Sequence, residues 1–352
     1  MYTRFFYALM ILSMLGITAC KDDDPITPGV EYDAQLENVA NDVILKTYEE
    51  LYHQTESLAT SLSQLQADPT QQNLDIARQA WRNARTPWEQ SEGFLFGPVD
   101  QQGIDPAIDS WPVNETDLDA VLNSAQVLTK SYIDGLDGTL KGFHTIEYLI
   151  FGLNGNKVVA DFTTRQFEYL SACSESLVGA TEQLYHSWKP SEENFIENIL
   201  RAGEAGESIY PSQKAALQEI VTGLIVIADE VANGKIFTPL SQQDVTLEES
   251  RFSANSKQDF ADNIRSIENV YLGKYLTADG PGISDIIATK DNTVDAQVKT
   301  LITESIAAIE AIDGTFTSAI FNSPQSIQAA QTKVRDLQQL LESDVLNIIT
   351  SL

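Results

Sequence analysis

The chain has 352 residues, 43% of them hydrophobic, and a formal net charge of −29 from 22 Lys and Arg against 51 Asp and Glu. That balance excludes nucleic acid as a partner, because phosphate contacts need clustered Lys and Arg, and it favours cations. Cys20 and Cys173 are the only cysteines, and with Cys20 read below as lipidated, no intramolecular disulfide is available to hold the fold.

The chain begins Met1-Tyr-Thr-Arg4, followed by an apolar run from Phe5 to Ile17 that is too short for a bilayer and ends in Thr18-Ala19-Cys20. This pattern predicts a bacterial lipoprotein signal over 1–19, with Cys20 the lipidated first residue of the mature chain. Residues 20–32, charged and broken by Pro25 and Pro28, read as an acidic tether. The Lys21-Asp-Asp-Asp24 run resembles a surface-export signal, so the expected address is the outer membrane, on its periplasmic or cell-surface face.

Beyond the tether the hydrophobic periodicity is helical, and the predicted class is all-α, with two helical-bundle domains over 33–205 and 206–352. Helices are expected at 34–66, 72–92, 117–133, 141–151, 163–188, 192–202, 211–234, 257–275, 295–320 and 325–350. Asp68-Pro69, Lys189-Pro190, Tyr210-Pro211 and Ser323-Pro324 punctuate them, with proline near helix starts where its missing N–H is harmless. Two aromatic-rich interruptions, 93–116 and 235–256, are long enough to be functional loops at the interface of the bundles. Gly142–Gly152 matches Asn263–Gly273 without a gap at Ile146/Ile267, Glu147/Glu268 and Gly152/Gly273, and Gln72–Arg82 matches Gln325–Arg335 more weakly. These matches suggest an internal duplication in which Arg265 stands where the first copy has His144.

The stretch Gly142-Phe-His-Thr-Ile-Glu-Tyr-Leu-Ile-Phe-Gly152 carries the chemistry. On a helix His144 and Glu147 share a face, and Glu147 falls between Phe143 and Phe151 where core residues belong. A carboxylate there must be paired, hydrogen-bonded or bound to a metal. An imidazole and a carboxylate at i, i+3 are two ligands of the kind helical bundles use for metals. Further donors are sought among Glu92, Asp100, Asp105 and Asp109, and the mixed set suits Fe, Mn or Zn.

Zinc peptidases of the inverted type need H-x-x-E-H. Here Tyr148 holds the last position, and only His53 and His186 remain to replace it. Cys173 reads as a small buried hydrophobe. On the preceding helix Trp81, Arg85, Trp88 and Glu92 form one stripe. They read either as aromatic core with charges at its rim or as part of the cavity that His144 faces, where Arg85 would neutralise carboxylates or bind an anion.

These residues resemble the imelysin family, named for an insulin-cleaving membrane protease and including iron-regulated lipoproteins. The resemblance rests on Gly142-Phe-His144-Thr-Ile-Glu147, which fits the family's GxHxxE motif, and on Trp81 through Pro98. It extends to Ile104-Asp…Ile108-Asp-Ser-Trp111-Pro and to Glu249-Ser-Arg-Phe-Ser253-Ala-Asn255-Ser…Asn263-Ile…Tyr271-Leu-Gly273. It implies an all-helical fold of two bundle-like domains with a site between them, and a link to iron acquisition.

The reading is a lipid-anchored cell-envelope protein that binds a metal ion, iron first and zinc second, or a small iron-bearing ligand, and hands it to an outer-membrane or periplasmic uptake partner. His144 and Glu147, completed by Glu92, Asp105 and Asp109, would hold the metal. Trp81, Arg85, Trp88, Trp111, Ser253 and Asn255 would line the site. The alternatives are a zinc-dependent peptidase of the imelysin type, with Glu147 catalytic, and a surface interaction protein whose HxxE motif is structural.

Overall fold

The structure, a computed structural model, describes residues 31–352; the expected signal, Cys20 and most of the tether lie outside the described residues. The folded body runs from Tyr32, whose N–H donates to Gln213 at 2.8 Å, and Tyr32–Leu352 forms one compact unit. Among the described residues no helix is long and apolar enough to cross a membrane.

The first long helix, α1 (Leu45–Ala67), continues from Asp33 through a widened turn at Val39–Ile44. Its buried residues Tyr48, Leu51, Leu58, Leu62 and Leu65 recur at three- and four-residue spacing, the stripe that seats a helix on a core. Helix α2 (Gln71–Glu89) starts at Thr70, whose side chain accepts from the Asn73 N–H. The motif helix α3 (Gly142–Phe151) is buried nearly all round. Helix α4 (Thr164–Trp188) opens on a reciprocal cap between Thr163 and Gln166. These four pack on one another.

In the second half α5 (Gln213–Asp229), α6 (Ser256–Leu272), α7 (Asn292–Glu310) and α8 (Pro324–Leu340) form a second group. The halves meet where α6 lies on α2, and where α5 and α6 both close on the short turn Glu92–Phe94. Gly93 makes this closure possible. Its N–H donates to Ser266 Oγ at 2.7 Å, and a side chain at 93 would collide with that hydroxyl.

The all-α prediction holds; among the described residues the only strands are two of two residues each, Lys274–Tyr275 paired with Ala278–Asp279 after α6. The helix expected over 117–133 is two pieces, Glu115–Leu122 and Lys130–Asp134, because Thr129 caps a fresh start by accepting from the Tyr132 N–H. That expected over 295–320 breaks after Glu310, and Thr315 caps Phe316–Asn322 by accepting from the Ser318 N–H. A further helix, Ile283–Lys290, was not foreseen. The long loop 93–116 contains single turns at Pro98–Gln101 and Asp105–Ile108.

Candidate metal centre

The seam between the halves is charged rather than apolar. Arg85, Glu89, Glu92, Asp109, His144, Glu147, Lys235, Glu249 and Asp259 are all buried there. Burying a charge is costly unless it is paired and hydrogen-bonded, and almost every one of these is.

The motif helix is placed by its first residue. Gly142 has φ of +73°, and a Cβ there would overlap the carbonyl oxygen of Ile108. Only glycine allows this approach, and it brings Asp109 beside His144. His144 Nε2 lies 3.1 Å from Asp109 Oδ1 and 3.8 Å from Glu249 Oε1. Its other nitrogen, Nδ1, lies 3.1 Å from Glu147 Oε2. Glu147 is held in turn by Ser253, whose N–H and Oγ both donate to Oε1 at 2.7 Å. Trp111 tilts against the imidazole with ring centres 6.1 Å apart.

Arg85 reaches in from α2. It donates to Glu89 and Asp109, and to Glu249 Oε1 at 3.0 Å, and its Nε lies 3.6 Å from Asp259 Oδ1. Trp88 Nε1 donates to the other Asp109 oxygen at 2.6 Å. Lys235 comes from a widened helical turn, Glu230–Ile236, that follows α5; such turns recur at functional sites. Its ammonium sits 2.7 Å from Glu92, 3.4 Å from Glu89 and 3.1 Å from Glu249, and 5.4 Å from the Trp111 ring centre. Asn263 Nδ2, on α6, donates to Glu89 Oε2 at 2.5 Å and Glu92 Oε2 at 2.9 Å. Asn255 donates to Asp259 at 2.7 Å.

Protonation follows from this geometry. Burial opposes the charge on His144, but the close Asp109 carboxylate and the hydrogen bond to Glu147 raise its pKa to about 10. Arg85 and Lys235 likewise stay charged despite burial, since Asp109 and Glu249 respectively lead the carboxylates that surround them. Burial works against the Asp109 charge, but Arg85 and His144 together hold its pKa well below the usual range. Burial pushes Glu249 up to about 8 and Asp259 to about 7, and burial with the neighbouring Glu89 holds Glu92 well above the usual carboxylate range.

Two overlapping sets of donors could take a cation: Asp109, His144 and Glu249, and the all-carboxylate set Glu89, Glu92, Asp109 and Glu249, with ligand atoms within 4.8 Å of one another in each. In the second set the Lys235 ammonium already lies among three of the four carboxylates. The first set fits a metal better. His144 Nε2 has no aligned hydrogen-bond partner, and imidazole with carboxylates is a donor set for Fe, Mn or Zn.

Of the residues expected to hold a metal, the structure brings His144, Asp109 and Glu92 into these sets. Glu147 lies outside them, on the far nitrogen of the imidazole. Asp105 opens its short turn half-buried and outside both sets, its pKa raised to about 6 by burial and by Asp109, and Asp100 is exposed. Trp81, Arg85 and Trp88 are fully buried, and Trp81 Nε1 donates to the Phe143 carbonyl at 3.0 Å. His53 and His186 both lie beside Tyr52, in neither set. Cys173 is buried, as expected. Arg265, the sequence counterpart of His144, pairs with Asp262 and Glu310 instead, so the internal match brings no second site.

Sequence reasoning did not assign Glu89, Lys235, Glu249, Asp259 or Asn263 as donors or partners. A signal for two of them was available: Asp259 and Asn263 interrupt the buried face of α6 just as Glu147 interrupts that of α3.

The family profile described as imelysin matches residues 44–343. The chain is 32% identical over 240 residues to iron-regulated protein A of Synechococcus elongatus, a match that covers 68% of this chain and spans 64% of the length of that curated relative. A solved structure assigned as an iron-regulated protein A precursor from Parabacteroides distasonis superposes with TM-score 0.80 at 26% identity, over 91% of this chain and 94% of that one. An imelysin-like protein from Psychrobacter arcticum shares the fold, with TM-score 0.71 at 14% identity over 90% and 94% of the two chains.

Proposed function

The chain belongs to the imelysin family, and from that premise we propose that it is a lipid-anchored cell-envelope protein that binds iron for uptake through Asp109, His144 and Glu249. The carrying observation is the orientation of one imidazole. Glu147, fixed by two bonds from Ser253, takes Nδ1 and leaves Nε2 aimed at Asp109 and Glu249. A carboxylate on the far nitrogen is how metal-binding histidines are oriented and made more basic. Glu147 is therefore read as the positioning group rather than a ligand, and Glu92 as the partner of Lys235. The iron-regulated name of the curated relative supports iron over zinc.

The test is anaerobic titration of the metal-free protein with ferrous iron, followed by calorimetry and elemental analysis. Binding near one equivalent is expected, lost in His144→Ala and Asp109→Asn, and weakened about 10- to 100-fold in Glu147→Gln. Glu268→Gln, on the matching helix, should bind normally. Absence of binding by the folded wild type would end the metal reading. With a single imidazole in the set, peptide cleavage is not expected; chelator-sensitive proteolysis that vanishes in Glu147→Gln would establish the peptidase alternative in its place.

A further inference from the structure

The clearest departure from the acidic surface is a cleft of about 700 Å³ beside the Ser253 loop. Three arginines line it: Arg78 and Arg82, one turn apart on α2, and Arg251. Arg78 and Arg82 both lie against the Phe151 ring, their guanidinium carbons 5.2 and 4.8 Å from its centre, and Arg251 lies 4.2 Å from the centre of Phe252. Two like charges on one ring repel, and in a chain with 51 acidic side chains to 22 basic ones a carboxylate would be expected between them. Instead Arg78 reaches the carbonyls of Ile150 and Lys157 at 3.0 and 2.5 Å, and meets only the exposed Asp75 at 3.4 Å. Arg82 donates to the Ser253 carbonyl at 2.9 Å, and among the described residues no carboxylate lies within ion-pair distance of it, Glu147 and Asp259 acting on its charge from farther off. Arg251 pairs through Nη2 with Glu115 at 2.6 Å.

Guanidinium groups held by ring faces and backbone carbonyls have lost their freedom in advance while keeping N–H groups to offer. Thr315, Thr317 and Asn154 add neutral hydrogen-bonding groups, and Phe252 and Leu153 an apolar wall. We propose that this cleft binds a small organic polyanion, a di- or tricarboxylate whose separate anionic groups reach Arg82 at one side and Arg251 at the other. A molecule with several anionic groups suits a cleft whose cations come from two different segments, α2 and the loop of Arg251. Of the residues named for the metal centre only Ser253 lines the cleft, and Arg82 lies in the field of Glu147 and Asp259, so the test is made on the metal-free chain.

Calorimetry on the metal-free full chain at fixed ionic strength tests it, with citrate as the tricarboxylate and inorganic phosphate as the single oxyanion. Citrate should bind saturably near one equivalent, about tenfold or more weakly in Arg82→Gln and again in Arg251→Gln. Arg165→Gln, which removes an exposed ion pair to Glu168 elsewhere, should leave it unchanged. Circular dichroism shows whether each variant is folded, and Arg251→Gln carries the test should Arg82→Gln fail to fold. Citrate binding indifferent to both substitutions, no citrate binding, or phosphate binding as tightly as citrate would each overturn the proposal.

Discussion

His144 holds its proton because two carboxylates flank it, and that ties stability to pH. The folded imidazole keeps its proton to about pH 10, from an ordinary value of 6.5. The unfolded chain therefore releases that proton first, and stability falls as pH rises between those values. Glu249 acts in the same direction: its folded carboxyl is protonated up to about pH 8, against an ordinary 4.5. The metal-free protein should lose thermal stability from about pH 4.5 to about pH 10, and His144→Ala should flatten the part of that slope above about pH 6.5. A flat wild-type profile would contradict the protonation described. Arg85 carries the converse lesson. Arg85→Met would leave Asp109, Glu89, Glu249 and Asp259 short of their shared cation, and breaking a buried network on one side costs about 3–5 kcal/mol, measurable by urea unfolding. The motif pair was legible because a carboxylate in an apolar helix demands a partner. Lys235 and Glu249 were not, because each comes from a segment whose sequence reads as loop and whose burial depends on the other half of the chain.

Elements set the geometry that residues use. Gly142 begins α3 in the left-handed region and against the Ile108 carbonyl, so Gly142→Ala must either strain its backbone or push the Asp109 segment away from His144. A loss of about 2–4 kcal/mol is expected, together with weaker metal binding, read by thermal unfolding and by ferrous titration. Equal metal affinity in the variant would show that the close approach serves the fold alone. The widened turn at Glu230–Ile236 has a comparable role. It straddles the expected end of one helix, 211–234, and it is this irregular turn that delivers Lys235 to the carboxylates. Long regular helices were readable from their apolar stripes. Breaks at Thr129 and Thr315 were missed because a capping hydroxyl is a local choice that averaged periodicity overlooks.

At the scale of the whole molecule, the charged seam binds the halves to each other. Arg85 on α2 is bonded to Glu249, and Asn263 on α6 to Glu89, so neither half completes its buried charges alone. Heat should therefore unfold Tyr32–Leu352 in one calorimetric transition, and Arg85→Met should move that transition without splitting it. Two separated peaks in the wild type would mean independently stable domains. The all-α class was readable from composition and periodicity, whereas the meeting of α2 with α6 was not, since nothing local in either helix names its distant partner.

Arg85 and Lys235 have one more consequence. Small zinc modules fall apart when their metal leaves, because nothing else offsets the crowd of negative ligands. Here two cations built into the chain already lie among those ligands. Emptying the centre with a chelator should leave the circular dichroism spectrum unchanged, and a molecule that survives being emptied can surrender its load and be refilled without being made anew.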